Sequence, residues 1–328
     1  DMAPKSSFLQ KTIGQFVDSK VGFVQTPQVF YNPDPFQFNL HLNQRIPNEQ
    51  DLFMLEIQAA RARFNAVMHV GTNAVFRRKA LEDIGGVPTG TITEDMATGM
   101  LLEAKGYKAV FINEVLCTGL SVESFNDLIR QRERWCRGNI QVVKKWNLLT
   151  VKGLSLAQRL IYTDGLVYWF FGVQKIIYIL CPLIYLIFGT VILQASPYNL
   201  LLFWLPSYLA SFLSYRVLVA NNRSLMWRHI YEVAMAPYLA MAALVEAIFA
   251  RPIPFRVTPK GINTDRTTFS LRTAWPFIFL LAATLLGWGF ALKEMMLGAG
   301  NVGSLAVNVA WSLYNAFAIA ISILVCVE

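Results

Sequence analysis

The sequence predicts two parts of different class: an α/β domain over residues 1–150 and an α-helical membrane region over residues 151–328. Three observations carry this. Residues 1–150 hold 32 charged side chains and residues 151–328 hold 18. Hydrophobic residues make up 55% of the chain and charged ones 15%, with a mean hydropathy of +0.41. A soluble domain carries about 25% charged residues, so these values exclude intrinsic disorder and argue against a wholly soluble chain. Finally, strand and helix patterns alternate early, whereas Ile176 to Tyr215 contains no charged residue at all.

The opening residues, Asp1 to Lys5, carry no signal-peptide pattern and read as the interior of a domain, so an N-terminal region is expected to precede them. Lys20–Gln25 alternates as a strand does. Ala74–Phe76 reads as a strand end, followed by a helix over 79–84 that stops at Gly85 and Gly86. Met96–Lys105 is a helix closed by Gly106, and Ala109–Asn113 a further strand. Ser124 with Asp127 three residues later forms a capping box that opens a helix over about 125–146. Alternating strands and helices imply an α/β domain.

The uncharged run of 40 positions from Ile176 is about twice the roughly 20 residues one crossing needs. Turn residues at 194–199 divide it, giving spans near 174–194 and 199–220. Two more are expected at 273–292 and 303–326, separated by a glycine-rich break. Residues 154–171 carry Arg159 and Asp164 among aromatics, and 233–245 is a short apolar run between Glu232 and Glu246. Both are expected to form helices lying in the membrane interface, over 154–171 and 229–250. The link 221–272 holds seven Lys and Arg, the turn at 194–199 none, and 293–302 only Lys293. That asymmetry places the link, residues 1–150 and the C-terminal end on the cytoplasmic side.

The net charge of +8 lies largely beside the spans, which fits lipid headgroups; no nucleic-acid-binding motif accompanies it. Four scattered cysteines (117, 136, 181, 326) and three separated histidines (41, 69, 229) argue against a zinc site or a disulfide framework. The cysteines read as small buried apolar residues, and His41 and His229 as isolated.

Four stretches could carry chemistry. Thr93-Glu94-Asp95 precedes a helix, where acids ordinarily suit the positive end. Read functionally, one carboxylate takes a proton from a hydroxyl. As neighbours, Glu94 and Asp95 point apart, which does not fit a two-carboxylate glycosidase pair. A carboxylate beside a helix start is hydrogen-bonded in its charged form, so Asp95 is expected to stay ionised. On the 125–146 helix, Gln131, Arg134 and Trp135 share one face at i, i+3 and i+4, with Arg132 between them. An amphipathic helix with a buried Trp explains any one of them. Together they suit a phosphorylated sugar, Arg forking onto phosphate and Trp offering a flat apolar face. Phe255–Gly261 is either a basic loop at the headgroups or a mobile cover whose Thr258 and Lys260 reach a phosphate. His69–Asn73 places Gly71 where backbone can approach a ligand, or is simply a turn.

In this order the pieces resemble the processive family-2 glycosyltransferases, specifically bacterial cellulose synthase catalytic subunits, over nearly the whole chain. Thr93–Asp95 looks like the family's TED motif, Gln131–Trp135 its QxxRW motif, and Phe255–Gly261 its FxVTxKG gating loop, extending over 255–267. Asp1–Pro4 resembles the end of its DxD metal motif. Gln25–Pro27 and Asn32–Pro35 also look like family segments. The resemblance implies a cytoplasmic GT-A domain, of which residues 1–150 are the C-terminal part, and a translocating channel in a bacterial plasma (inner) membrane. It further implies a UDP-sugar donor, a growing polysaccharide acceptor, Mg²⁺ or Mn²⁺, a lipid bilayer and accessory synthase subunits as partners. By carry-over, Asp1 holds the metal and Asp95 is the base. Glu94, Gly71 and Thr72 line the substrate site, and Gln131, Arg132 and Arg134 serve the diphosphate and acceptor region. Trp135 stacks on the terminal sugar, while Phe255, Val257, Thr258 and Lys260 close over the nucleotide. Met68–Thr72 departs from the family's FFCGS, with Val70 where Cys is usual. The product therefore ranges from cellulose to curdlan, mixed-linkage glucan or an amino-sugar polymer. A lipid glycosyltransferase and a non-catalytic membrane protein are the competing classes.

Overall fold

The computed structural model describes residues 2–43, 45–192, 197–218, 224–249, 268–298 and 301–327. The chain forms two compact units, one of residues 1–38, 47–170 and 241–263 and the other of 39–46, 171–240 and 264–328.

In the first unit, Val21–Gln25 (β2) is fully buried, as a strand covered on both faces requires. It pairs antiparallel with Ala74–Phe76 (β4) and parallel with Lys108–Phe111 (β5). A second sheet has Cys117–Gly119 (β6) at its centre, antiparallel to Met2–Pro4 (β1) and parallel to Val29–Phe30 (β3). Short helices Phe8–Ile13 (α1), Pro35–Asn39 (α2), Gln58–Ala62 (α3) and Arg78–Asp83 (α4) connect these strands.

Helix Glu94–Ala104 (α5) supplies the core: Met96, Ala97 and Met100 are buried with Val142 and Tyr162. Val142 belongs to Phe125–Lys145 (α6), whose Ser124 cap accepts from the Asp127 N–H as its sequence predicts. Tyr162 belongs to Leu156–Tyr168 (α7) and donates to the buried Glu103 carboxylate at 2.8 Å. This packing carries the first unit through to Phe170, past the expected division at 150. On its other side α7 exposes Leu156, Leu160 and Val167, which form one stripe at helical spacing.

Helices α5 and α6 approach closely at Gly138, where a Cβ would fall 2.4 Å from Thr93 Cγ2. Glycine to alanine inside a helix ordinarily stabilises by about 1 kcal/mol. Here Gly138→Ala is expected to reverse that sign and destabilise by about 1–3 kcal/mol, because Thr93 must move. A detergent-phase melting comparison checks it.

In the second unit, Phe171–Phe188 (α8), Leu271–Met296 (α12) and Val302–Val325 (α13) pack together around Leu186, Ala291 and Leu305. Leu225–Phe249 (α11) begins there and abuts α8, with a Cβ on Gly172 falling 2.7 Å from Ala240 N. These four helices are long and apolar enough to cross a membrane. The set includes α11, expected to lie in the interface. The stretch expected as the second span comprises Pro197–Asn199 (α9), a π-helical segment Leu200–Trp204 and Leu205–Leu218 (α10).

One sequence expectation is corrected here. His229 is not isolated: it lies 3.2 Å from Lys175 Nζ and stacks on Tyr314 at 4.1 Å. Charge is also present within the helical unit, since Lys175 pairs with Glu232 at 2.9 Å and Glu232 also pairs with Arg228. Lys175 and Glu232, largely covered by apolar helices, each have a partner of opposite sign, as such charges require.

Candidate active site

The site is built from the end of β2, the following loop, the start of α5 and the middle of α6, all in the first unit. Leaving β2, Gln25 reaches across to the 69–73 loop. Its Nε2 donates to Thr72 O at 2.8 Å and its Oε1 meets His69 Nδ1 at 2.9 Å. Gln28 donates to Val70 O at 3.0 Å and to Thr72 Oγ1 at 2.6 Å. Asn73, with φ +58°, donates to Pro27 O at 2.8 Å. Burial pushes His69 down to about 4, so the imidazole is neutral at physiological pH. The loop is thereby fixed, and Gly71 turns through φ +83° at its apex.

Gly71 faces Asp95. A Cβ at Gly71 would sit 3.0 Å from Asp95 Oδ2, so only glycine lets the backbone come this close. The other oxygen, Oδ1, accepts from Met96 N at 2.8 Å. Thr93 occupies the cap position of α5 without a side-chain cap bond. Asp95 is expected to stay ionised, and at neutral pH it does, but with a higher pKa than a helix start alone would give it. Desolvation outweighs the Met96 N–H and the attraction of Arg134, and the carboxyl is pushed up to about 6. Its neighbour Glu94 is exposed.

Helix α6 supplies the positive charge. Burial pulls the Arg134 guanidinium down from its usual range, while Asp95 and Glu94 hold it up; Arg134 therefore lies within electrostatic reach of both acids. Gln131 and Arg132 are buried, and Arg132 Nη1 donates to Gln131 Oε1 at 2.7 Å. Arg132 also pairs with Glu49 and lies over the Trp135 ring, 4.3 Å from its centre. Trp135 is half-buried.

One side chain ties this region together from behind. Gln141 accepts from Ile92 N at 3.2 Å, just before Thr93, and donates to the buried Glu246 at 3.1 Å. Glu246 lies near the end of α11, ahead of residues 250–267. The expected gating-loop residues Phe255, Val257, Thr258 and Lys260, and the expected metal ligand Asp1, lie outside the described residues. Among the described residues no group of three or more His, Cys, Asp or Glu side chains could hold a metal ion.

Of the expected site residues, Gly71, Thr72, Glu94, Asp95, Gln131, Arg132, Arg134 and Trp135 thus all fall in one unit. Sequence reasoning missed the anchoring residues Gln28, Asn73, Gln141 and Glu49. The polar Gln25-Thr26-Pro27-Gln28 stretch directly after a buried strand is the signal that could have found the first of these.

Known proteins resemble the chain over most of its length. The chain is 36% identical over 317 residues to the cellulose synthase catalytic subunit (UDP-forming) of Pseudomonas fluorescens (strain SBW25), covering 96% of this chain and 43% of that one. It is 34% identical over 319 residues to the cellulose synthase 1 catalytic subunit (UDP-forming) of Komagataeibacter xylinus, with coverage of 96% and 43%. The chain therefore spans less than half the length of these curated relatives. Among solved structures, mannosyltransferase PcManGT from Pyrobaculum calidifontis in complex with GDP-Man and Mn2+ superposes at a TM-score of 0.43 and 17% identity, covering 76% of this chain and 60% of that one. At that distance the likeness carries no inference. The family model described as "Glycosyl transferase family group 2" matches residues 4–323, and the chain belongs to that family.

Proposed function

We propose that the full protein is a processive, inverting glycosyltransferase with a GT-A catalytic domain that polymerises UDP-glucose into a β-glucan, cellulose first, and passes it across a bacterial plasma membrane. The observation that supports this most is the meeting of Asp95, the Gly71 turn and Arg134 in one unit, in a chain whose relatives are named cellulose synthase catalytic subunits.

In this reading the acceptor hydroxyl gives its proton to Asp95 as its oxygen bonds to the anomeric carbon of the donor. The bond from that carbon to the diphosphate breaks on the opposite face, inverting the centre and releasing UDP. A base with a pKa near 6 is matched to this task, being ionised at neutral pH yet basic enough to draw the proton. Arg134 and Gln131 would meet the negative charge that grows on the leaving group. Mg²⁺ or Mn²⁺ held with Asp1 would offset that charge further. Trp135 stacks on the terminal sugar, and the 255–267 segment closes over the nucleotide. Accessory synthase subunits and a cytoplasmic catalytic domain belong to the same reading.

Detergent-solubilised full-length protein should convert UDP-glucose to an insoluble polymer that cellulase digests. A polymer that resists cellulase and yields to a β-1,3-glucanase overturns cellulose in favour of curdlan. Trp135→Ala is expected to shorten the chains and cut polymer yield by about 10-fold or more, the loss that removing an aromatic platform worth about 1–3 kcal/mol, as for stacked nucleobases, would bring. Size-exclusion chromatography of radiolabelled product measures this.

A further inference from the structure

Glu49 has no role in the chemistry above, yet it sits at the centre of a buried chain of contacts. Its backbone N–H donates to Asp34 Oδ2 at 2.9 Å. The other oxygen of Asp34 accepts from Gln37 N at 2.9 Å, and Asp34 is 1% exposed. The Asn32–Pro35 turn is thus a fixed mount for Glu49. The Glu49 carboxylate pairs with Arg132 through Nη2, with Nε at 3.4 Å from its other oxygen. Arg132 is 4% exposed, gives Nη1 to Gln131, and lays its plane over Trp135. All three nitrogens of this guanidinium therefore donate within the protein, and its carbon lies over the indole. For Arg132 to fork onto a diphosphate, it would have to abandon Glu49 and leave a largely buried carboxylate unpaired. Arg134, by contrast, lies within electrostatic reach of Asp95 and Glu94.

We propose that Glu49 is a positioning residue for the acceptor: it holds Arg132 against Trp135, fixing the indole as a platform, and Arg132 belongs to this mount and not to the diphosphate site. The inference rests on the reading that Trp135 stacks on the terminal sugar. A cation over one ring face both restrains the indole and enriches its interaction with what lies around it. The Asp34 turn sets the height of Glu49, and through it the tilt of the ring.

The test compares wild-type, Glu49→Gln and Arg132→Lys full-length proteins in membranes, with UDP-glucose as donor. Glu49→Gln should leave the donor KM within about twofold and preserve hydrolysis of UDP-glucose to water. Glucosyl transfer to the growing chain should fall about 10- to 100-fold, the range expected when a reacting group is misplaced by about 1 Å. Combined with Trp135→Phe, Glu49→Gln should add little further loss, because the two act through one ring. A donor KM raised tenfold or more, in either single variant, overturns the proposal and returns Arg132 to the diphosphate. Multiplying losses in the double variant overturn it as well. If Glu49→Gln does not insert, Arg132→Lys, which keeps the charge but loses the planar face, carries the same comparison. Wild-type protein that makes no polymer sinks the functional reading itself. A polymerising wild type matched by Glu49→Gln sinks only this inference.

Discussion

Replacing Asp95 by Asn is expected to lower polymer formation by about 10²–10⁴-fold, the usual contribution of a positioned general base. Asn keeps the size of the side chain and can still accept from Met96 N, so the local hydrogen bond survives while the proton acceptor is lost. Stability should move the other way. The folded-state value of about 6 lies above the reference value of 3.8, so the folded protein favours the protonated form. The stability this contributes is present at low pH and is lost as the pH rises through about 6. At pH 7 the wild type therefore bears the cost of an ionised, desolvated carboxylate, and Asp95→Asn should melt no lower than it. The same value fixes a pH dependence. Below about 6 the base is protonated and transfer should fall about tenfold per pH unit, while UDP-glucose binding changes less. Full activity in Asp95→Asn, or a rate flat down to pH 4, contradicts the assignment.

Gly71→Ala is expected to remove most of the remaining catalytic precision without touching a reacting group. The new Cβ would lie 3.0 Å from Asp95 Oδ2 on a backbone with φ +83°, which costs about 1–3 kcal/mol for a residue with a side chain. Either the loop or the carboxylate must give. The loop is held at Thr72 O, Thr72 Oγ1 and Val70 O by Gln25 and Gln28, at 2.6–3.0 Å. The carboxylate is held by the neighbouring backbone N–H groups of Met96 and Asp95 and is the part that moves. Displacing a base by about 1 Å can cost about 100-fold in rate. Initial-rate kinetics should show kcat falling with the donor KM little changed. A wild-type kcat would mean that Gly71 does not face the working position of Asp95.

How much of this was legible in the sequence depends on how local the cause is. Strands β2, β4 and β5 and helices α4 to α6 follow from alternation, glycine stops and the Ser124 cap, all within a few residues. Strands β1, β3 and β6 are two or three residues long and offer no period to read. The sequence brackets the apolar run 233–245 with Glu232 and Glu246, and those acids argue for a helix of 229–250 lying in the interface. In the structure both acids have partners: Glu232 meets Lys175 and Arg228, while Glu246 accepts from Gln141 and lies 3.8 Å from Arg137. Arg137 and Gln141 lie at least 105 positions from Glu246. The TED and QxxRW residues were legible as motifs, but the raised pKa of Asp95 was not. A helix start argues for an ionised acid, whereas burial, a tertiary quantity, raises its pKa. Glu49 sits in a polar stretch with nothing to mark it, 83 positions from the arginine it holds.

The most direct test of the whole account uses sealed inside-out membrane vesicles carrying the full-length protein, with radiolabelled UDP-glucose and cellulase both supplied outside. The account predicts an insoluble labelled polymer that external cellulase leaves intact and that the enzyme digests once detergent opens the vesicles. That single result requires catalysis facing the cytoplasm, a β-1,4 product and passage through the membrane. No labelled polymer, or a polymer digested before the vesicles are opened, would contradict it.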